Sequence, residues 1–209
     1  MEEEVITMDF RDDKYLKTLI QGMKKLDYID PDDIPNIDLY MDQVTTFMDE
    51  HLKSSKRYNE DKLLTKTMIN NYTKNDLLPA PNKKKYTKEH MLMLIFIYYF
   101  KNILSINDIQ QMFGPLTEKY YGGSSGIGLE EIYKEVFRYE EEQMDNLLKD
   151  VIRKYRKSQE TFSEVKSQED KEFLNVFSFI CFLGFDVYLK KQMIEKLIDD
   201  MAKETEKKQ

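Results

Sequence analysis

Cysteine is nearly missing from this chain. Cys181 is the single one among 209 residues, so no disulfide can close within one copy and nothing implies an oxidising compartment. Its setting, Phe177-Ser178-Phe179-Ile180-Cys181-Phe182-Leu183, predicts a buried, inert thiol rather than a nucleophile. Histidine is almost as scarce. His51 and His90 have no cysteine partners and no second histidine at ligand spacing, so no metal site is expected. Long apolar runs are short too: the longest, Met91 to Phe100, is ten residues, where a membrane span needs about twenty. The acidic start Met1-Glu2-Glu3-Glu4 lacks the basic opening of a signal peptide. The expectation is a cytoplasmic protein with no membrane partner. Glycine and proline are few, at seven and five, while glutamate, lysine, leucine and methionine dominate. That composition leans all-α.

What is present is charge, unevenly placed. The formal net charge is −7, which taken as an average counts against nucleic acid. Between Lys53 and His90, however, ten Lys/Arg stand against four Asp/Glu, and the remainder holds 22 against 35. A basic segment inside an acidic protein is a local electrostatic footprint.

Apolar spacing predicts a helix near residues 9–27, ended by Asp30-Pro31-Asp32-Asp33-Ile34-Pro35. A second is expected over 38–53, a polar loop over 54–60, and a short helix over 61–74 stopped by Leu77-Leu78-Pro79-Ala80-Pro81. Asn82 to Tyr86 reads as a basic turn or small β-wing. Thr87 opens a helix to about Ile103, and Ser105 caps one over 106–113. Four of the seven glycines fall in Gly122–Gly128, the expected domain boundary. Helices over 129–157 and 168–203 follow. The division expected is an N-terminal helix (1–30), a central domain (31–121) and a C-terminal helical domain (122–209).

The segment carrying chemistry is Thr65 to Lys74. At about 100° per residue, Lys66, Thr67, Asn70, Asn71 and Lys74 share one side, while Met68, Ile69 and Tyr72 share the other. Asparagine can bond adenine through both its amide atoms, and lysine reaches guanine edges or phosphates. A polar helix face alone is ordinary solvated surface. Here Lys83-Lys84-Lys85-Tyr86 follows about ten residues on, where cations can neutralise phosphates beside a groove.

Leu64-Thr65-Lys66-Thr67-Met68-Ile69-Asn70-Asn71-Tyr72, Leu77-Leu78-Pro79, Tyr86, Leu94, Ile97, Ser105-Ile106 and Ile109 together resemble the MerR-type DNA-binding domain. The chain, especially Ile34 to Val44, also resembles an uncharacterised bacterial family of unknown function. The MerR resemblance implies a winged helix-turn-helix, with Tyr72 matching a phosphate-contacting tyrosine and the helix after Gly128 supplying a dimer interface. Asn70 stands where those proteins commonly carry arginine, Asn71 replaces an aromatic residue, and Asp76 takes a usual glycine position. The wing is shorter, and the link preceding the recognition helix is longer.

The glycine stretch 122–128 lacks the Gly-Lys-Ser/Thr of a phosphate loop and reads as a linker. Glu140-Glu141-Glu142 reads as a solvated helix face, and no nucleophile–base pair stands out. No catalytic, cofactor or metal residues are expected. The expectation is an all-α, MerR-like winged helix-turn-helix plus C-terminal helical domain, acting as a dimeric transcriptional regulator on double-stranded DNA. Its DNA-binding residues would be Lys66, Thr67, Asn70, Asn71, Tyr72, Lys74, Lys83, Lys84 and Lys85. The C-terminal domain would pair copies or take a small-molecule or protein effector. The alternative is a helical interaction module that keeps the fold without binding DNA.

Overall fold

In a computed structural model, residues 13–23, 29–123 and 126–207 are described. They build α1 (Asp13–Met23), β1 (Leu39–Tyr40), α2 (Met41–His51), α3 (Lys66–Lys74), β2 (Lys85–Tyr86), α4 (Lys88–Phe100), α5 (Ile106–Tyr120), α6 (Leu129–Gln159) and α7 (Gln168–Glu206). The protein is mostly helical, and the one sheet among the described residues is the antiparallel pair β1–β2, with Leu39 opposite Tyr86 and Tyr40 opposite Lys85.

Two compact units divide the chain. One comprises residues 1–26 and 141–190, the other 27–140 and 191–209. The division falls inside α6, not at Gly122–Gly128. A glycine-rich connection is a place where a chain can turn, and here the helix that follows it keeps packing on the domain that precedes it. Leu129 and Tyr133 are fully buried, and the Tyr133 hydroxyl donates to the Ile29 carbonyl at 2.7 Å.

The larger unit is organised around α4. Met91 through Tyr98 are all buried, so this helix has no wet side and must be covered all round. Val44, Phe47 and Met48 of α2, Ile69 and Tyr72 of α3, Ile109 and Phe113 of α5, and Tyr133 of α6 join it in one apolar cluster. Phe96 is the aromatic hub, with ring centroids 5.3 Å from Tyr133, 5.5 Å from Phe137 and 6.1 Å from Phe113.

Two segments differ from the sequence expectation because of what they pair with or pack against. Leu39 and Tyr40, expected helical, are strand, because β2 offers their backbone a partner. The helix opened by Ser105 does not stop at Phe113 but runs through Gly114 and Pro115 to Tyr120. Pro115 forfeits one helical bond, while Leu116 stays packed against the core. Within α6, Val136, Tyr139 and Leu147 are exposed, whereas Leu148, Val151 and Tyr155 are buried.

In the smaller unit, residues 141–159 of α6 and 168–190 of α7 are held by polar contacts. Lys154 pairs with Asp186 at 2.5 Å. The Asn175 amide donates to the Thr161 and Ser158 carbonyls at 3.0 and 3.2 Å, and Tyr155 meets Phe179 edge-on at 5.4 Å. Cys181, expected buried, is half-exposed. Over 168–204 a helix has the length and composition to cross a membrane, with only 11% of its apolar window buried. That signal rests on length and composition alone.

His90 is the one buried polar side chain of α4. Its Nδ1 accepts the Thr87 backbone N–H at 3.0 Å, and the Tyr121 hydroxyl lies 3.0 Å from Nε2. Burial pushes its pKa below 6.5, against the opposing carbonyls of Ala80 and Pro79 and the charge of Asp38. The folded state therefore prefers neutral imidazole, and the unfolded chain takes up the proton first. Stability is fully present above pH 6.5 and falls as pH drops below it toward the folded-state pKa. Urea unfolding at stepped pH between 7.5 and 5 should show this decline in the wild type and a flatter profile in His90→Gln. Equal slopes in the two proteins would remove His90 as the cause.

Candidate nucleic-acid interface

α3 is nine residues long, too short to persist alone, and its ends are closed by specific bonds. At its start the Thr65 hydroxyl accepts the Met68 N–H at 3.2 Å. At its end Asp76 takes φ +55°. The Leu77 N–H donates to Tyr72 at 2.9 Å and the Asp76 N–H to Thr73 at 3.3 Å, which is a Schellman closure. The left-handed residue is aspartate where glycine is usual, and its short polar side chain tolerates that geometry better than most. The buried pair Leu77 and Leu78 then pins the chain to the core.

With Ile69 and Tyr72 buried, the opposite side of α3 faces solvent. Lys66, Thr67, Asn70, Asn71 and Lys74 are all exposed. These five are the polar side chains that periodicity placed on one face. Tyr72 parts from them: it is 8% exposed, and burial raises its hydroxyl pKa. Its ring anchors the helix, so the structure takes it out of the contact surface.

The basic segment forms a tight turn. The Lys85 N–H donates to the Asn82 carbonyl at 2.9 Å, and Lys83 and Lys84 between them have φ +49° and +64°. Positive φ at both central residues is the I′ hairpin pattern, usually filled by Asn-Gly. Here two lysines occupy it, exposed at the tip, while Lys85 is half-buried.

The junction of β1 and α2 ties this tip to α3. Lys85 Nζ lies 5.4 Å from the ring centre of Tyr40 in β1, and two residues later Asp42, in the first turn of α2, forms an ion pair with Lys66. One short junction therefore touches both the start of α3 and the basic hairpin. Lys74, Lys83 and Lys84 make no ion pair among the described residues, whereas Lys66 is engaged by Asp42 and Lys85 by Tyr40. Sequence reasoning missed both partners, since nothing in the spacing of Tyr40 and Asp42 marks them as neighbours of residues 45 and 24 positions away.

No group of three or more His, Cys, Asp or Glu among the described residues is arranged to hold a metal. In the smaller unit, Lys149, Arg153 and Arg156 rim an open cleft of about 760 Å³ floored by Ile152, Phe182 and Phe185. The effector expectation for the C-terminal region would draw on it.

The family model described as Domain of unknown function (DUF1836) matches residues 29–136. That span holds α2, α3, the basic turn, α4 and α5. No curated protein and no solved structure matches the chain.

The lysine tip carries a cost that can be measured. Replacing Lys83 with Asn and Lys84 with Gly should raise stability by about 1 kcal/mol, since L-residues in the left-handed region cost roughly 1–2 kcal/mol each. Chemical denaturation of the double variant tests this, and an unchanged or lower midpoint would show that the turn is unstrained.

Proposed function

The chain belongs to the DUF1836 family, a domain of unknown function, and from that premise we propose that it is a DNA-binding transcriptional regulator with a MerR-like winged helix-turn-helix. The observation that carries this reading is the exposed face of α3, where two asparagines, two lysines and a threonine stand out from an apolar anchor, beside a turn tipped by lysines. In this reading α3 lies in the major groove. Asn70 and Asn71 read base edges, with Lys66 and Thr67 beside them. Lys74 and Lys83 to Lys85 hold the backbone, and the β1–β2 ribbon with its turn serves as the wing. As a dimer, the protein would present two such faces to an inverted repeat.

The Lys66–Asp42 pair bears on this. Both side chains are more than half exposed, and an ion pair in such a setting contributes little stability. Phosphate can displace Asp42 from Lys66 at small cost. With Asp42 left in place, the same pair trims the positive charge of the surface.

The rival reading is an interaction module that presents these lysines to an acidic protein. Site selection from random duplexes, followed by salt titration on the selected sequence, separates the two. The regulator reading expects an enriched palindromic motif. Asn70→Ala should lose about 1–3 kcal/mol of discrimination at one base position, whereas Lys84→Ala should weaken all sequences alike and lower the salt slope by about one. Failure to enrich any sequence at low salt would overturn it.

A further inference from the structure

The N-terminal two-thirds of α7 is amphipathic in an unusual sense. One side of it is engaged by polar contacts, and the opposite side carries an exposed apolar stripe. Asn175, Ser178 and Asp186 turn toward the polar contacts with Lys154 and Thr161. On the opposite side stand Phe173, Phe177, Ile180, Val187 and Tyr188, each between 53% and 69% exposed. Gly184 lies in the same stripe, and a Cβ there would meet nothing within 4 Å.

Phe173, Phe177, Ile180, Gly184 and Val187 follow one another at alternating steps of four and three, the spacing of a seam between two helices. The five bare side chains leave roughly 600 Å² uncovered, taking about 150–250 Å² for each full aromatic side chain. Two copies of such a face bury about 1,200 Å², the lower bound of a stable interface.

Charge selects the occupant. Glu169 and Asp170 stand before the stripe and Lys190 after it, all exposed. A second copy running antiparallel brings Glu169 beside Lys190 of that copy, twice over. In the same register Phe173 falls opposite Gly184, where there is room for a ring, and Phe177 opposite Ile180. A surface that is complementary to itself when reversed is what a two-fold dimer requires.

Lipid fits less well. The helix is long and apolar enough to cross a bilayer by length and composition, but its apolar stretch Phe173–Leu189 contains Asp186 paired to Lys154, a charge that hydrocarbon disfavours.

We infer that the Phe173–Tyr188 face of α7 pairs with the same face of a second copy, antiparallel, to form a homodimer. This gives the dimer of the proposed function its interface, and it is tested without DNA, so failure of either reading leaves the other standing.

Sedimentation or light scattering of the full chain at tens of micromolar should give twice the monomer mass. Ile180→Asp should weaken the dimer about thirtyfold or more, as expected for a central apolar anchor, with an unchanged circular dichroism spectrum because Ile180 is 60% exposed within its own copy. Lys190→Glu should also weaken it, and adding Glu169→Lys should restore it, a rescue that only the reversed register predicts. A monomeric wild type, a dimer indifferent to Ile180→Asp, or a double charge swap that fails to rescue would each overturn the inference. So would binding of the wild type to neutral phospholipid vesicles that Ile180→Asp abolishes.

Discussion

The larger unit is governed by one demand: α4 must be covered on every side. Eight consecutive buried side chains, Met91 to Tyr98, leave that helix no direction in which to face water. Each contributes roughly 1.5–3 kcal/mol when fully buried, so the neighbouring elements are held against it by the strongest term available. α2, α3, α5 and the start of α6 each give up one apolar side to this task. Their remaining sides must then be polar, and the surface of the unit is the residue of that bargain.

For α3 the consequence is specific. Its anchor is small, with Ile69 and Tyr72 as its only buried side chains. Nine residues offer little cooperative stability, so the caps at Thr65 and Asp76 do much of what a longer helix would do for itself. A short helix fixed at both ends and pinned below holds its outward side chains in a defined array. Such an array can discriminate among ligands, because the positions of its donors and acceptors do not have to be ordered at the moment of binding. The basic turn is fixed by different means. Pairing of β1 with β2 and the contact between Lys85 and Tyr40 hold the base of the hairpin, while Lys83 and Lys84 at its tip stay in a conformation that L-residues rarely adopt. Strain maintained at an exposed, charged tip is more easily understood as serving a contact than as serving the fold.

Much of this was legible in the residues. The two-sidedness of Thr65–Lys74, the cap at Ser105, the turn before Tyr86 and the stop at Leu77-Leu78-Pro79 are local signals, and local chemistry decides them, whereas the cap at Thr65 was missed because the helix was expected from Asp61. Where tertiary contacts decide, the reading failed. A two-residue strand at Leu39–Tyr40 carries no periodicity, and its identity comes from partners 47 and 45 positions on. Gly114-Pro115 is a reliable stop for an isolated helix, yet packing of Leu116 against the core carries α5 past it. The glycines at 122–128 announced a boundary that the structure places inside α6, since where units separate depends on which buried side chains touch. In α7 the apolar content of Phe173–Leu189 was plain, but hydrophobicity alone does not distinguish a side chain buried within its own copy from one awaiting another. Exposure, which only the fold supplies, makes that distinction.

The two proposals bear on each other through electrostatics. One copy offers at most Lys66, Lys74 and Lys83 to Lys85 to a phosphate backbone, and Lys66 is already shared with Asp42. Each neutralised phosphate contributes about 0.9 to the salt slope, so a single face would hold duplex DNA weakly at physiological salt. The rest of the chain, with 35 acids against 22 bases outside residues 53–90, would repel a duplex and disfavour binding in any other orientation. Joining two faces through α7 doubles the available phosphate contacts, and makes the second engagement intramolecular. A surface too sparse to bind firmly alone, on a protein acidic enough to avoid casual contact, gains affinity mainly where both halves of a site are correctly spaced. Selectivity would then follow from weak faces joined together, and it would not require either face to be strong.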